Sequence, residues 1–466
     1  MTKTLLALSL TLTLGACSLA PDYERPATPA GATWQAGTSE TAPLGWQQQF
    51  QDPALQTLIQ LALDNSRDLR LSVLAVQRYE AQYRIERAAQ FPGLDIGASG
   101  SRARSPSTVT GGEASISSQY SANLGVTSYE LDLFGRVQNL KNQALENYLA
   151  QTQTQRSTQL ALVASVADAY LNLISDTQLL ALSQQTLTTE QESYDLIARK
   201  QTLGAASEME LAQARTSLES AKASVAQYHR LQAADRNALT LLMGSPLPAD
   251  LTLPSQLAEV QFAAIPVGAP SSLLAQRPDI AAAEHSLKAA NANIGVARAA
   301  FYPSISLTAT AGTASAELGD LFSAGSGSWS FVPSLSLPLF DFGSNQANLD
   351  VAKIDQQEAV ATYEKTIQTA FQEVSDGLNA QTDYQQQLAA QQAQVEANQT
   401  YFTLADKRYQ HGVDSYLTRL DAQRSLFSAQ QSLVSSQLAA LSNQVSLYKA
   451  IGGGWQASAS PAKPQS

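Results

Sequence analysis

The sequence predicts a mainly α chain with a membrane β portion, on three observations. The chain repeats itself once. Each half holds stretches that alternate apolar and polar residues, and each half continues into a long proline-free stretch.

The repeat is read from paired landmarks. Arg87-Ala88-Ala89 ahead of Phe91-Pro92 matches Arg298-Ala299-Ala300 ahead of Tyr302-Pro303, and Asp68-Leu69 matches Asp279-Ile280, all displaced by 211 residues. Phe134-Gly135 matches Phe342-Gly343, Gly204 matches Gly412, Ser207 matches Ser415 and Ala214 matches Ala422, now displaced by 208. The change of three falls within the alternating region. Length varies most cheaply in surface connections, so a loop of different size is expected between the paired strands of each half.

Strands come first in each half. Ser304 to Ala311 alternates without a break, with one wholly hydroxylic face. Trp329, Phe331, Leu335, Leu337 and Leu339 alternate with Ser330, Ser334 and Ser336, and Leu124 and Val126 alternate with Asn123 and Thr127. Leu94, Ile96 and Ala98 suggest a fourth strand. Aromatic residues near the ends (Tyr120, Tyr129, Trp329, Phe340) suit a transmembrane barrel. A soluble sandwich with one buried face would alternate in the same way. Four strands cannot close a membrane barrel, and lipid leaves no unpaired backbone, so the chain must share its sheet with copies of itself; the count could be two or more.

Helices follow. No proline occurs between Pro106 and Pro246 or between Pro338 and Pro461, so residues 137–201 and 345–410 could each run about 100 Å at 1.5 Å per residue. Gly204 and Gly412 would end these helices at positive φ. Ser207 to Glu210 reads as a capping box that starts a helix again. Beyond the second turn Leu417, Leu420, Arg424, Phe427, Gln431, Val434, Leu438, Leu441, Val445 and Tyr448 step by three and four, a coiled-coil seam. The expected divisions are a signal at 1–16, an extended arm at 17–53, repeats at 54–243 and 271–451, a linker at 244–270 and a tail at 452–466.

The N-terminus and composition bound the location. Lys3, the apolar run Leu5 to Leu14, and Leu14-Gly15-Ala16-Cys17 have the order of a secretory signal closed by a lipoprotein box. Ten apolar residues are too few to span a bilayer as a helix. Cys17 is the only cysteine, so no intramolecular disulfide can form and its expected fate is lipidation, with a multiply acylated residue holding firmly. Ser18 at the next position is the pattern of lipoproteins sent to the outer membrane. Pro21, Pro26, Pro29 and Pro43 suit an extended strap. Without residues 1–16 the chain has 28 basic and 40 acidic residues, a formal charge of −12, which argues against nucleic acid as a partner. Only 15% of residues are charged while 44% are apolar, a composition suited to long, close-packed helices.

Catalysis finds little support. His229, His285 and His411 are far apart with no metal-ligand spacing, and Gly325-Ser326-Gly327-Ser328 reads as a loop between strands, not a nucleophile elbow. No cofactor is expected beyond a covalent lipid on Cys17. A lipidated periplasmic coiled-coil scaffold would explain Cys17 and the helices but not the strands.

Cys17-Ser18-Leu19-Ala20-Pro21-Asp22-Tyr23, Tyr129 to Gly135, Ala299 to Ser304, Gly412-Val413-Asp414 through Leu420 to Ser425, and Tyr448 to Trp455 resemble the TolC/OprM-type outer-membrane factors, in the lipidated branch that serves multidrug efflux. The resemblance covers nearly the whole mature chain. It implies a homotrimer, with a twelve-strand β-barrel continued by a twelve-helix barrel of coiled-coil hairpins and a mixed equatorial belt. It also implies a passive exit duct in the outer membrane, projecting into the periplasm and opened there by an adaptor and a proton-driven (RND-type) inner-membrane transporter. Related channels export polypeptides or siderophores instead. By position, Leu417 and Asp421 match the rings that narrow the periplasmic aperture. Tyr409 and Arg424 match positions that link neighbouring helices, with Glu210 where an acidic partner is offered. Asp414 departs from the archetype, which has arginine there. The turns Leu203-Gly204-Ala205 and His411-Gly412-Val413 correspond to the tips that meet the adaptor.

Overall fold

A computed structural model describes residues 18–27, 29, 44–265 and 277–453 of the protein. Cys17, the signal-like segment before it and the closing Gly454-Trp455 lie outside these residues.

The first half opens with helix α1 (Pro53–Asn65). Its start follows from the sequence: Asp52 caps it by accepting from the Ala54 and Leu55 amides at 2.8 and 3.2 Å, and Pro53 fits the first turn, where no amide is needed. Leu55, Leu58, Ile59 and Ala62 fall on one face and are buried. Helix α2 (Arg67–Ala88) leads into strands β1 (Asp95–Ser105) and β2 (Ser115–Leu131), then helices α3 (Arg136–Thr202) and α4 (Glu208–Met243). The second half repeats the order with α5 (Pro278–Ala299), β3 (Ser304–Ser315), β4 (Gly327–Ser336), α6 (Ser344–Gln410) and α7 (Tyr416–Ala450). The repeat is metric as well as topological. Helices α2 and α5 have 22 residues each at the 211-residue displacement, and α3 and α6 have 67 each at 208. Neither α2 nor α5 is among the elements expected from the sequence.

The three-residue difference does not lie in the strand connections. Residues 106–114 join β1 to β2 and residues 316–326 join β3 to β4, so the first connection is the shorter. The extra length is in β2, which has 17 residues against 10 in β4 and carries a bulge between Val126 and Tyr129, with Ser128 at φ 56°. A bulge absorbs a residue without breaking the ladder on either side.

Two compact units are distinguished. One holds the sheet, the start of α3, most of α5 and the strap of residues 18–25. All neighbouring strands pair antiparallel in the order β1-β2-β3-β4, leaving β1 and β4 as edges. Because paired residues share a face, the register sorts the side chains. One face carries Ile96, Leu124, Val126, Ile305, Leu307, Trp329, Phe331 and Leu335, all exposed or half-exposed; the opposite face carries Ser99, Ser121, Asn123, Ser306, Thr308, Thr310, Ser330 and Ser334. Gly125 is required within it, since a Cβ there would meet the Ala309 carbonyl oxygen at 2.3 Å.

The strap lies along α5 in the opposite direction. Arg298 donates to the Leu19 carbonyl at 2.9 Å, Asn291 to that of Pro21 at 2.7 Å, and Arg25 pairs with Glu284. Gly295 makes room for it, as a Cβ would meet the Ala20 amide nitrogen at 2.8 Å. Ser18 donates to Asn139 of α3 at 2.9 Å. Burial and the Glu284 carboxylate push the Tyr23 phenol up to about 12.

The other unit holds α1 and the remaining lengths of the long helices. Helices α6 and α7 run antiparallel, tied by Gln387 to Ser436 (3.1 Å) and Asn443 to the Gly377 carbonyl (3.0 Å). Helix α7 runs parallel to α4, with Arg424 donating to Ser217 and Gln431 to Tyr228, each at 3.0 Å. Phe50 bridges to Phe262 and packs edge-on against it and Tyr448, so the end of the arm is a built-in part of this unit.

Candidate gate and channel surfaces

The helix turns are built alike. The Gly204 amide donates to the Gln201 carbonyl and the Ala205 amide to that of Lys200, at 3.0 and 2.8 Å; Gly412 and Val413 donate to Tyr409 and Arg408 at 3.0 and 2.9 Å. These are paired Schellman motifs, and Gly204 and Gly412 take the positive φ they need, 71° and 70°. Leu203 and Val413 stand exposed beside them, as do Ala205 and His411.

Each turn then starts its return helix differently. Ser207 and Glu210 form a complete capping box, in which Glu210 Oε2 accepts from the Ser207 amide at 2.8 Å. Glu210 is thereby committed to its own N-cap and bonds neither Tyr409 nor Arg424. Ser415 caps α7 by accepting from the Thr418 amide at 3.3 Å. Asp414 forms a two-bond pair with Arg408 at 2.6 and 2.9 Å that holds its carboxyl below the usual range.

Along α7, Tyr416, Arg419, Leu420, Gln423 and Leu426 are buried, whereas Leu417, Asp421, Arg424, Ser428, Ser432 and Ser435 form an exposed stripe. Of the seam read in the sequence, Leu420, Val434, Val445 and Tyr448 are buried, whereas Leu417 and Arg424 are exposed, and Arg419 and Gln423, outside the seam, are buried as well. The reason is that α7 packs against three neighbours, α3, α4 and α6, so it buries more than one heptad stripe. Leu417 and Asp421 sit one turn apart on the exposed stripe. Tyr409 receives a hydrogen bond from Lys200 at 3.3 Å and packs edge-on against Tyr416 at 5.8 Å, so it ties α6 to α3 and α7.

A further cross-link near the turns involves a residue with no signature in the seam pattern. Arg419 is 8% exposed; it donates from Nε to Asp406 of α6 at 2.6 Å and from Nη1 to Ser193 of α3 at 2.9 Å. Glu190, 3% exposed, lies in the field of Arg419 and Arg424, yet burial still raises its carboxyl pKa, and its Oε2 has no hydrogen-bond partner among the described residues. A cleft of about 170 Å³, lined by Glu192, Asp406, Tyr409, Tyr416 and Arg419 among others, opens beside this cluster. One guanidinium thus holds three helices together beside a carboxylate oxygen that has no partner among the described residues.

A four-stranded sheet with one apolar and one hydroxylic face, open at both edges and flanked by two 67-residue helices that fold back at glycine turns, defines the class of outer-membrane channel subunits. The chain belongs to the outer membrane efflux protein family, whose profile matches residues 58–245 and 269–453. It is 53% identical over its whole length to the toluene efflux pump outer membrane protein TtgC of Pseudomonas putida, covering 98% of that protein. It is 43% identical to the outer membrane protein OprJ of Pseudomonas aeruginosa, over 97% of this chain and 96% of that one. Among solved structures, the open state of the MtrE outer membrane channel of Neisseria gonorrhoeae superposes with a TM-score of 0.86 at 42% identity, covering 94% of this chain and 98% of that one.

Proposed function

We propose that three copies of this chain form the outer-membrane exit duct of a tripartite efflux system for drugs and other small toxic compounds, without enzymatic activity of its own. The observation that carries this reading is the two-faced sheet with two open edges. Lipid tolerates no unpaired strand edge, so β1 of one copy pairs with β4 of the next, and three copies close a barrel of twelve strands with the serine and threonine face inward. The exposed stripe from Leu417 to Ser435 lines the helical part, with Leu417 and Asp421 at its narrow end and Tyr409, Arg424 and Arg419 joining the helices around it. Three Asp421 carboxylates converging there repel one another and attract cations. The turns at Leu203-Gly204-Ala205 and His411-Gly412-Val413 meet a periplasmic adaptor, which links the duct to a proton-driven inner-membrane transporter. Lipidated Cys17 tethers the chain to the outer membrane; support comes from Ser18, held against Asn139 just past the end of β2. The substrates follow those for which relatives are named, toluene and antibiotics.

The test is complementation of a strain lacking the gene. Wild type should restore solvent and antibiotic tolerance and run as a cross-linked trimer, while Gly204→Trp should trimerise but fail to complement. Normal tolerance in the Gly204→Trp strain would remove the tips from the adaptor contact, and tolerance unaffected by loss of the gene would remove the efflux role.

A further inference from the structure

The four strands contain two basic residues, Arg102 and Arg104, and both lie on the apolar face. Arg102 pairs with Ser118 and Arg104 with Ile116, so both share the face of Ile96, Leu124 and Trp329. Their level is set by the register. From Leu131 to Tyr120, β2 runs beside Ile305 to Ser315 of β3, its bulge absorbing one residue, so it covers about 33 Å at roughly 3.3 Å per residue, which at a tilt of about 40° is a band about 25 Å tall, the height of an outer-membrane hydrocarbon belt. Arg102 and Arg104 are two and four residues beyond Tyr120, towards the β1–β2 connection, and so stand just past the belt at headgroup level. The Tyr120 ring lies over Gly100, where a Cβ would meet it at 3.1 Å, and closes the apolar belt immediately below them.

Both side chains are exposed, and neither forms an ion pair or side-chain hydrogen bond among the described residues. Two like charges about 7 Å apart on a lipid-facing surface are unfavourable without a counter-charge, and guanidinium groups grip phosphate through paired N–H bonds. The connections at residues 106–114 and 316–326 lie at the strand ends opposite those that lead into α3 and α6. If the helices project into the periplasm, this end faces outward; the inference rests on the proposed function in that respect.

We infer that Arg102 and Arg104 form a binding site for the phosphorylated headgroup of an outer-leaflet lipid, seated against the outside of the barrel. The lipid's acyl chains lie on the Ile96, Leu124 and Trp329 surface, and its phosphates bridge the two guanidinium groups. A bound headgroup spans β1 and β2, beside the edge where the next copy joins, so it would also hold the trimer together.

The experiment uses the full-length trimer, stripped of lipid in detergent, with diphosphoryl lipid A as the probe. Native mass spectrometry reads the lipid bound, and heated gel mobility reads trimer dissociation. Wild type should bind lipid A and dissociate at a higher temperature with it than without; Arg102→Gln with Arg104→Gln should bind at least tenfold more weakly and lose the shift, and Lys at both positions should recover part of it. Dephosphorylated lipid A should bind wild type as weakly as lipid A binds the double variant. Equal binding of lipid A by wild type and the Gln variant would overturn the site. Displacement of lipid A by millimolar inorganic phosphate would overturn the lipid as its occupant. A Gln variant that falls apart more readily even without lipid would mean that the arginines pair with acidic residues of the neighbouring copy, such as Glu317 and Asp320, and would also overturn the site. Single-channel conductance of the Gln variant should match wild type. No conductance from either protein would break the channel reading, separately from the lipid result.

Discussion

Replacing Arg419 with Met keeps the length and apolar stem of the side chain and removes its charge. The loss includes the bond to Asp406 at 2.6 Å and that to Ser193 at 2.9 Å, and it leaves Glu190 with Arg424 as its nearby cation. Removing one member of a fully buried pair costs about 3–5 kcal/mol. Here the Arg419 side chain is 10% exposed and that of Asp406 25%, so water recovers part of the loss and about 2–3 kcal/mol is expected. At 1.4 kcal/mol per decade this is about a 30- to 150-fold gain in local opening. Hydrogen exchange on the full-length protein should show that acceleration at residues 190–202 and 416–424, with the sheet unchanged. The penalty has a pH sign. Glu190 has a raised pKa in the folded chain, so its ionisation costs stability as pH rises, and the deficit of the variant should shrink as the medium is acidified. Adding Glu190→Gln to Arg419→Met should recover part of the lost protection. Equal exchange at residues 190–202 in wild type and Arg419→Met would refute the reasoning, because the cross-link would then carry no energy.

The narrowing and the interior carboxyls give two further expectations. Leu417→Ala combined with Asp421→Ala should raise single-channel conductance in planar bilayers, and an unchanged conductance would take both residues out of the constriction. Asp235, raised to about 6 by burial and the neighbouring Asp176, keeps its proton in the folded chain after the unfolded chain has lost it. Stability therefore falls as pH rises from about 4 through about 6. Asp235→Asn should unfold at a higher temperature than wild type at pH 8, by the equivalent of about 1 kcal/mol or less given its exposure, with the gap closing near pH 4. A gap constant across that range in thermal unfolding would count against the shared proton.

The elements with a strict local signature were the most legible. Period-two alternation placed β3 and β4, glycine and the capping box placed the turns, and the repeat offsets of 211 and 208 recur as the displacements of α2 from α5 and α3 from α6. The bulge in β2 was not legible, because Thr127 and Ser128 look like any polar pair and only the partner strand reveals that one residue too many faces Thr308. Nor was the docking of the strap on α5, where Gly295 and Asn291 act on a segment about 270 residues away.

Arg419 shows why an interior charge escapes a pattern search and how it could be found. On a single helix an arginine among leucines reads as solvated, and a heptad seam has room for one partner helix, whereas α7 has three. An antiparallel hairpin, however, pairs residues that lie at equal distances from its turn. Asp406 and Arg419 lie symmetrically about Gly412-Val413, so opposite charges at mirrored positions mark the contact in the sequence itself. The same mirror about Gly204-Ala205 in the first hairpin falls on Ala198 and Leu211, and Leu211 packs with Ile197, Ala214, Tyr416 and Leu420. The duplicated hairpins thus share geometry and differ in chemistry, apolar in the first and charged in the second. A purely apolar joint closes on contact and offers no specific handle for release, whereas a buried ion pair beside an unsatisfied carboxylate is stable in one arrangement and costly in all others. The two hairpins therefore differ in what holds them at matching positions of the repeat.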